Sequence, residues 1–343
     1  MPRPVQRYQN VVVSGVEHVD APIRVPSAAL EAELEGTMIR LGLAPGTLEA
    51  LSGIGERRFW EAGATPSAVA SRAAERLLAR STVDRAEVGA LINTSVDRDF
   101  VEPSTACIVH AELGLSPEAI NFDVGNACLG FLNGMALVAG MIERGDIEHG
   151  LVVDGEGSRF ITEATVARLA DPACDKQTFH ESFATLTLGS GAAAMLLSRA
   201  DLVGDGHALR GFVSRAATEH HALCRGQIDD MRTDTHRLLS AGIALARETY
   251  KEAADAFDLT DDTVALYAIH QVSRVHSRQV IDVLGLDPDK VPLLFPRFGN
   301  IGPAGMVITL SKEAEAGRIA PGDRVAMMGV GSGLNGAVAD LRW

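Results

Sequence analysis

The sequence predicts an α/β protein made of two related halves, and three observations support this prediction. Apolar runs typical of buried strands alternate with helical patterns along the 343 residues, which favours sheets covered by helices. Glycine-rich turns separate these segments. A unit of strand, glycine turn, long helix, glycine and strand occurs twice, which indicates a duplicated fold.

The internal repeat aligns two segments at a constant offset of 172 residues. The matching positions are Cys128 with Asn300, Gly130 with Gly302, and Gly145 with Gly317. Each copy follows a strand with a polar end, LINTS in the first half and LYAIHQ in the second. We therefore expect halves at residues 1–203 and 204–343. The polar, irregular stretch around 155–185 is interpreted as an insertion that covers a site or a subunit interface.

In the first half, residues 10–17 predict a strand, and residues 27–43 predict an amphipathic helix capped by Ser27. Thr65 precedes a proline at the first position of a helix that ends at Arg80. The same patterns predict six further elements. They are a strand at 88–94, a helix ending at Leu113, a strand at 119–122, a long helix ending at Arg144, and strands at 150–154 and 189–197.

The second half begins after a glycine-rich turn and continues the alternation of helices and strands. Its predicted elements are a helix at 234–257, a strand at 264–269, a helix at 275–284, a helix after Gly305 and a strand at 324–328. The run Gly331-Ser332-Gly333 that follows resembles part of a phosphate-binding loop. Since no long helix comes after it, we do not predict a nucleotide site.

Cys128 lies where a predicted strand turns into a predicted helix, between Gly125 and Gly130. Free N–H groups at a helix N terminus stabilise a thiolate, and flanking glycines let a substrate carbonyl approach the backbone. This placement suits a nucleophile. Alternatively, a cysteine in a Gly/Ala-rich turn is a small buried apolar residue.

The duplication favours the nucleophile. Equivalent loops of two related halves face each other across a pseudo-twofold axis, so Asn300 would face Cys128, with the strand-end His270 nearby. A cysteine can attack a thioester and hold its acyl group. The His270 imidazole and the Asn300 amide can donate hydrogen bonds to a second carbonyl and stabilise an enolate or oxyanion. The three residues together predict acyl-thioester chemistry.

A turn at 52–55 leads into the basic and aromatic segment Glu56-Arg57-Arg58-Phe59-Trp60. Arg57 and Arg58 are candidates for contacts with an anionic carrier, such as the phosphates of CoA. The alternative is a solvated turn with a packed Trp60. The sequence leaves both interpretations open.

Composition limits the class of partner. The net charge is −14 and no basic run is interleaved with aromatics, so neither nucleic acid nor an anionic membrane surface is expected. The four cysteines suggest neither zinc nor a disulfide framework, and His220-His221 with Cys224 lack a partner cluster, so no metal is predicted. The N-terminal MPRPVQRYQN lacks the apolar core of a signal peptide, and no uninterrupted apolar run is long enough to span a membrane. We expect a cytoplasmic location.

Four motifs resemble those of the thiolase superfamily, and within it the ketoacyl-ACP synthase III branch. They are Asn126-Ala127-Cys128-Leu129-Gly130, Ile269-His270-Gln271, Gly299-Asn300-Ile301-Gly302-Pro303-Ala304 and Gly329-Val330-Gly331-Ser332-Gly333. The resemblance implies a five-layered αβαβα thiolase fold, a homodimer and a Cys128–His270–Asn300 triad. It also implies an oxyanion hole formed by the backbone N–H groups of Cys128 and Ser332.

A narrower resemblance is to the acyl-CoA:acyl-CoA condensing enzymes of long-chain olefin synthesis. It is carried by residues 93–106, 151–156, 216–219 and 223–226. Ordinary ketoacyl-ACP synthases III usually have an apolar residue before the Pro-Ser pair, whereas this chain has Glu102. The resemblance implies that Glu102 reaches the active site of the neighbouring subunit. A desolvated carboxylate there suits removal of an α-proton. Alternatively, Glu102 only complements the dipole of the helix that follows Pro103.

The resemblance thus implies a non-decarboxylative Claisen condensation of two fatty acyl-CoA molecules through an acyl-Cys128 intermediate. The products would be CoA and a 2-alkyl-3-oxo acid for enzymes of olefin or β-lactone synthesis, with no separate cofactor. One alternative is a decarboxylating ketoacyl-ACP synthase III that uses malonyl-ACP. Another is one subunit of a heterodimeric condensing enzyme.

Overall fold

The computed structural model describes residues 5–343, so the first four residues of the segment tested for a signal peptide lie outside it. The strands are β1 (Val5–Arg7), β2 (Val11–Asp20), β3 (Ile23–Pro26), β4 (Glu56–Phe59), β5 (Val88–Asn93), β6 (Ile120–Asp123), β7 (His149–Glu156), β8 (Gly191–Arg199), β9 (His207–Ala216), β10 (Cys224–Gly226), β11 (Met231–Thr233), β12 (Leu266–Ile269), β13 (Arg324–Gly331) and β14 (Asn335–Arg342). The helices are α1 (Ser27–Glu33), α2 (Glu35–Leu41), α3 (Thr47–Ser52), α4 (Pro66–Arg80), α5 (Thr105–Leu113), α6 (Gly130–Arg144), α7 (Arg159–Leu169), α8 (Lys176–Ser182), α9 (Thr235–Phe257), α10 (Arg274–Leu284), α11 (Phe295–Phe298) and α12 (Ala304–Glu315).

The strand order shows the duplication. The main sheet runs β12-β13-β14-β9-β2-β8-β7-β5-β6, and β1 pairs with β9. On each side of the β9–β2 junction, two antiparallel pairs are followed by a parallel pair, which is β13–β12 on one side and β7–β5 on the other. The junction itself is short, with Val12 opposite Ala208 and Val13 opposite His207. The predicted duplicated α/β fold is confirmed.

The helices pack in three layers around the two half-sheets. The central hydrophobic cluster joins α6 and α12 to inward-facing residues of both half-sheets, including Val152 and Met327. Neighbouring residues in the same strands face outward because side chains alternate along a strand. Leu151 packs with α4 and α5 on one outer face, and Met328 packs with α9 and α10 on the other. These are the five layers of the thiolase fold.

The stretch around 155–185 is more regular than predicted. It contains α7, α8 and the beginning of a 3-10 turn at Phe183–Thr187. Its apolar residues share a separate core with α1, α2 and α3, in which Leu34, Leu48, Leu169 and Phe179 are buried. Helices α7 and α8 are stabilised by residues more than 100 positions earlier in the chain. Their own sequence therefore shows only a weak helical pattern.

Three details differ from the prediction. The helix expected at 27–43 is divided at Leu34 into α1 and α2. The cap assigned to Ser27 is wrong, because Pro26 precedes the helix and the buried Ser27 hydroxyl donates to the Ile54 carbonyl oxygen. The chain also continues after β13 into β14, whose glycine, asparagine and aspartate residues obscure the strand pattern.

Helix α6 and the turn before it, Ala127–Arg144, are long and apolar enough to cross a membrane by length and composition. Half of this segment is buried within the protein. Phe131, Leu132 and Met135 belong to the central cluster and have no exposed surface. Its apolar character therefore reflects its position between the two half-sheets.

Candidate active site

Cys128 lies in a single 3-10 turn, Ala127–Leu129, between β6 and α6, as the sequence predicts. Ala127 has φ 45°, in the left-handed region that non-glycine residues rarely adopt. The next residue after the turn must be small, because a Cβ at Gly130 would lie 2.6 Å from the Thr94 carbonyl oxygen, just after β5. This close approach holds Cys128 against the end of the sheet and at the N terminus of α6.

The protonation state of Cys128 differs from the prediction. Burial raises the pKa of the Cys128 thiol to about 12, and the charges of Glu156 and Cys224 act in the same direction. Desolvation disfavours the thiolate more than the helix N terminus favours it, so the expected thiolate is wrong for the resting protein. Cys128 is therefore a neutral thiol at pH 7 and must lose a proton when it attacks a carbonyl.

His270 directly follows β12, and its backbone N–H donates to the Met328 carbonyl oxygen over 2.8 Å. Only 3% of the residue is exposed. Desolvation and the neighbouring His276 lower the pKa of His270 to about 3, while a hydrogen bond with the Gly302 backbone acts in the opposite direction. The imidazole is neutral at pH 7, so one ring nitrogen carries a proton that it can donate.

Asn300 is positioned by its own backbone. Its N–H donates to the Thr187 carbonyl oxygen, and its carbonyl oxygen accepts from the Gly189 N–H, each over 2.8 Å. The Asn300 Oδ1 atom accepts a hydrogen bond from the Gly302 N–H over 3.0 Å. Because Oδ1 is thus engaged, the side-chain NH2 group is the end that can donate to a substrate oxygen.

Glycines of β13 bring these elements together. A Cβ at Gly329 would lie 2.8 Å from the His270 Cβ and 3.4 Å from Leu129, in the turn that carries Cys128. Gly331 packs against the same turn, with the Asn126 carbonyl oxygen 3.0 Å from a Cβ placed there. Ser332 follows Gly331 directly, so its backbone lies beside the turn of Cys128. Asn300 is linked to His270 through Gly302, whose backbone forms hydrogen bonds with both residues. Shared neighbours therefore connect Cys128, His270, Asn300 and Ser332.

Glu102 lies outside this pocket in the single chain. It occupies the loop before α5 and is exposed, and the two residues before it are also exposed, Phe100 at 60% and Val101 at 96%. Within residues 5–343 its carboxylate forms no ion pair.

The alternative role considered for Glu102, at the start of α5, is taken by two other residues. The Ser104 hydroxyl accepts from the Cys107 N–H over 3.1 Å. The Asp123 carboxylate accepts from the N–H groups of Thr105 and Ala106 over 3.0 and 2.8 Å. These groups satisfy the first turn of the helix, so Glu102 is not needed there.

The structure does not support Arg57 and Arg58 as contacts for CoA phosphates. Arg57 is 1% exposed and donates to the Ser27 hydroxyl and the Leu186 carbonyl oxygen, each over 3.0 Å. Burial lowers the pKa of Arg57 to about 10. Arg58 lies over the Phe298 ring and donates to the Ala21 carbonyl oxygen. The prediction for Arg57 is wrong, and the contacts of Arg58 favour the packed-turn alternative.

Two buried carboxyl groups near Cys128 were not assigned from the sequence. Asp154 and Glu156 lie at the end of β7 and share the inward-facing side of the strand with Val152. Acidic residues are rarely fully buried without a partner. In the sequence, two acidic residues stand at alternate positions at the end of the apolar run that begins at Leu151. This pattern is the signal that could have identified Asp154 and Glu156.

Among residues 5–343, one group of three possible metal ligands lies close together: Glu17, His18 and Glu315. Glu17 already accepts a hydrogen bond from Arg80 over 2.7 Å, and His18 Nδ1 lies 2.8 Å from the Ser311 hydroxyl. His220, His221 and Cys224 do not form such a group.

Two family descriptions match the chain. Residues 122–215 match 3-oxoacyl-[acyl-carrier-protein (ACP)] synthase III, and residues 254–343 match its C-terminal part. A Xanthomonas campestris acyl-CoA:acyl-CoA alkyltransferase is 44% identical over 98% of this chain and 99% of its own length. A Shewanella oneidensis protein of the same name is 35% identical over 98% and 100%. A Desulfitobacterium hafniense β-ketoacyl-ACP synthase III is 26% identical over 85% and 87%.

Solved structures of Xanthomonas campestris OleA have the same fold. The cerulenin-bound protein superposes with a TM-score of 0.96, is 43% identical, and covers all of both chains. Other structures of that protein carry substitutions of one cysteine, one glutamate or one histidine, and they superpose equally well.

Proposed function

This chain belongs to the 3-oxoacyl-[acyl-carrier-protein] synthase III family, and from this premise we propose that it condenses two fatty acyl-CoA molecules without decarboxylation. Two relatives that match nearly its whole length are acyl-CoA:acyl-CoA alkyltransferases, and the chain is accordingly a thiolase-superfamily acyltransferase. The observation that supports the proposal is that Cys128, His270 and Asn300 are linked through shared neighbours, Gly329 on one side and Gly302 on the other.

The spacing of three residues supports their roles. In Xanthomonas campestris OleA, structures exist with a glutamate, a cysteine or a histidine substituted. The numbers of residues that separate these positions equal those that separate Glu102, Cys128 and His270 in this chain. We assign Glu102 as the base, Cys128 as the nucleophile and His270 as a hydrogen-bond donor.

The first half-reaction transfers an acyl group to Cys128. Its sulfur attacks the thioester carbonyl, and CoA leaves. The negative charge that develops on the carbonyl oxygen is stabilised by the backbone N–H groups of Cys128 and Ser332. CoA thioesters are the substrates, and the chemistry requires no separate cofactor or metal.

The second half-reaction forms the carbon–carbon bond. Glu102 of the neighbouring subunit removes the α-proton of a second acyl-CoA. The neutral His270 imidazole and the Asn300 amide donate to the enolate oxygen, and the carbanion attacks the acyl-Cys128 carbonyl. The bond between that carbonyl carbon and the Cys128 sulfur then breaks, and the sulfur takes up the proton that Glu102 removed. Hydrolysis of the remaining thioester gives a 2-alkyl-3-oxo acid, which enzymes of olefin or β-lactone synthesis would consume.

A second copy of the chain is needed because Glu102 is exposed and lies outside the pocket of its own chain. Phe100 and Val101 form an exposed apolar loop next to it, and Ile120 is exposed on the edge strand β6. Burying these groups against a second copy would remove apolar surface from water. We propose a homodimer that works in the cytoplasm, where free cysteines stay reduced.

The test is incubation of the purified protein with one long-chain acyl-CoA and nothing else. We expect release of CoA and a product with the mass of the 2-alkyl-3-oxo acid. The Cys128→Ala variant should form no product, whereas Cys107→Ala, which changes an exposed cysteine, should behave as the wild type.

Two results would contradict the proposal. A product that requires malonyl-ACP and appears with CO2 would establish the decarboxylating alternative. Activity that appears only after a different chain is added would establish a heterodimer.

A further inference from the structure

The carboxyl pair, defined as Asp154 and Glu156, is buried at the end of β7. Asp154 has no exposed surface, and its Oδ2 atom accepts from the Thr94 hydroxyl over 2.6 Å. Glu156 Oε1 accepts from the Val96 N–H over 2.7 Å. Asp154 Oδ1 is buried and has no donor among residues 5–343 when both groups are ionised, and a side-chain hydrogen bond between Asp154 and Glu156 shifts the pKa of both. The two groups are therefore arranged to share one proton.

The carboxyl pair is in contact with both sides of the pocket. Thr94, the partner of Asp154, packs its carbonyl oxygen against Gly130, two residues after Cys128. The carboxyl group of Glu156 lies against Gly302, with its carbon 3.2 Å from a Cβ placed there. Gly302 in turn donates to Asn300. The pair thus lies between the nucleophile turn and the loop that positions Asn300.

Burial sets the charge of the pair. Desolvation raises the pKa of Asp154 to about 7 and the pKa of Glu156 well above its usual value, with mutual repulsion adding to the shift of Glu156. Asp97, in the loop after β5, lies close to Glu156, and its charge also raises the pKa of Glu156. The Cys128 thiol lies close enough to Glu156, Asp154 and Cys224, at the start of β10, for their charges to raise its pKa. A carboxyl group with a pKa near neutrality is suited to accept and return a proton at pH 7.

We propose that the carboxyl pair accepts the thiol proton of Cys128 during acyl transfer. The inference rests on the proposed function, because it needs Cys128 as the nucleophile. The Sγ–H bond breaks as sulfur bonds to the thioester carbonyl carbon, and the pair gains a second proton. The carbon–sulfur bond to CoA then breaks, and the CoA thiolate takes that proton. The products are acyl-Cys128, CoA thiol and a pair that again holds one proton.

His270 is poorly suited to this task. It is buried, and the neighbouring His276 further disfavours its protonated form. A neutral imidazole that resists protonation is a hydrogen-bond donor to an enolate rather than an acceptor of a thiol proton. The carboxyl pair therefore accepts the proton of the Cys128 thiol, whereas His270 and Asn300 donate hydrogen bonds to the enolate.

The first experiment measures acylation of Cys128 by intact mass in single-turnover mixtures over a range of pH. The double variant Asp154→Asn with Glu156→Gln keeps acceptors for the Thr94 hydroxyl and the Val96 N–H and removes both carboxyl groups, so acylation at pH 7 should slow by about 100-fold. Glu313→Gln changes a buried carboxyl group on α12 that pairs with Arg318, which follows the helix, and this variant should acylate at the wild-type rate. A wild-type rate in the folded double variant would overturn the inference.

The second experiment needs no variant and covers the case in which the double variant does not fold. Alkylation by iodoacetamide is followed peptide by peptide against pH, with exposed Cys107 as the internal reference. Cys128 should require a higher pH than Cys107, since burial, and after it the charges of Glu156 and Asp154, disfavour its thiolate. A Cys128 profile at or below that of Cys107 would contradict the inference. If wild-type Cys128 takes up no acyl group at all, the proposed function fails instead.

Discussion

Asp123 anchors the segment that carries Glu102, and its removal should affect stability and condensation together. Its carboxylate accepts from the N–H groups of Thr105 and Ala106 over 3.0 and 2.8 Å, and from the Asn93 amide over 3.2 Å. A hydrogen bond to a charged group contributes about 1.5 kcal/mol at the low end. Loss of the two backbone bonds in Asp123→Ala should therefore lower the free energy of unfolding by about 3 kcal/mol.

The assay is urea denaturation, with Asp123→Asn and Glu118→Ala measured alongside. The asparagine keeps one acceptor oxygen, so its loss should be about half as large. Glu118 is exposed in the loop before β6, so its replacement should change stability by less than about 0.5 kcal/mol. Condensation by Asp123→Ala should fall more than Cys128 acylation, because the start of α5 no longer holds the Glu102 loop. Unchanged stability in Asp123→Ala would refute this reasoning.

Three further predictions concern the pocket and the turn before it. Glu102→Ala should take up acyl groups on Cys128 but form no condensed product, as intact mass and product analysis would show; normal product formation would exclude Glu102 as the base. Gly329→Ala should displace His270, whose Cβ would lie 2.8 Å from the new methyl group, and slow condensation at least 10-fold, while an unchanged rate would show that the site tolerates the shift. Arg57→Ala should cost about 3 kcal/mol of stability by leaving buried acceptors unpaired, with no change in KM for acyl-CoA; a raised KM in the folded variant would restore Arg57 as a substrate contact.

Local patterns were sufficient where an element is long and its apolar positions are periodic. Helix α6 ends at Arg144 as predicted, and α4 spans Pro66–Arg80 as predicted. Local sequence patterns gave wrong predictions where a residue is buried by segments that are distant in the sequence. Ser27 looks like a cap in isolation, yet its hydroxyl is buried against Ile54. Helices α7 and α8 depend on the core that they share with α1, α2 and α3.

Some features of the candidate site could be predicted from the sequence, and others depend on tertiary contacts. The placement of Cys128 at a strand-to-helix turn, of His270 at a strand end and of Asn300 at the repeat-related position could all be read from spacing. The protonation state of Cys128 could not, because it depends on desolvation and on the charge of Glu156, which is 28 residues away in the sequence but close in space. The burial of Arg57 could not be predicted from the sequence either, since its hydrogen-bond partners Ser27 and Leu186 come from distant segments.

The amino-acid sequence by itself therefore determined the duplicated α/β architecture and the residues that meet at its pseudo-twofold axis, because periodicity and spacing are properties of the chain. The tertiary structure alone decided which groups are buried together, and hence which of them hold protons at pH 7. Desolvation and the interaction of charges depend on neighbours in space. For that reason only the folded chain shows that Cys128 is a thiol and that Asp154 and Glu156 lie close to it.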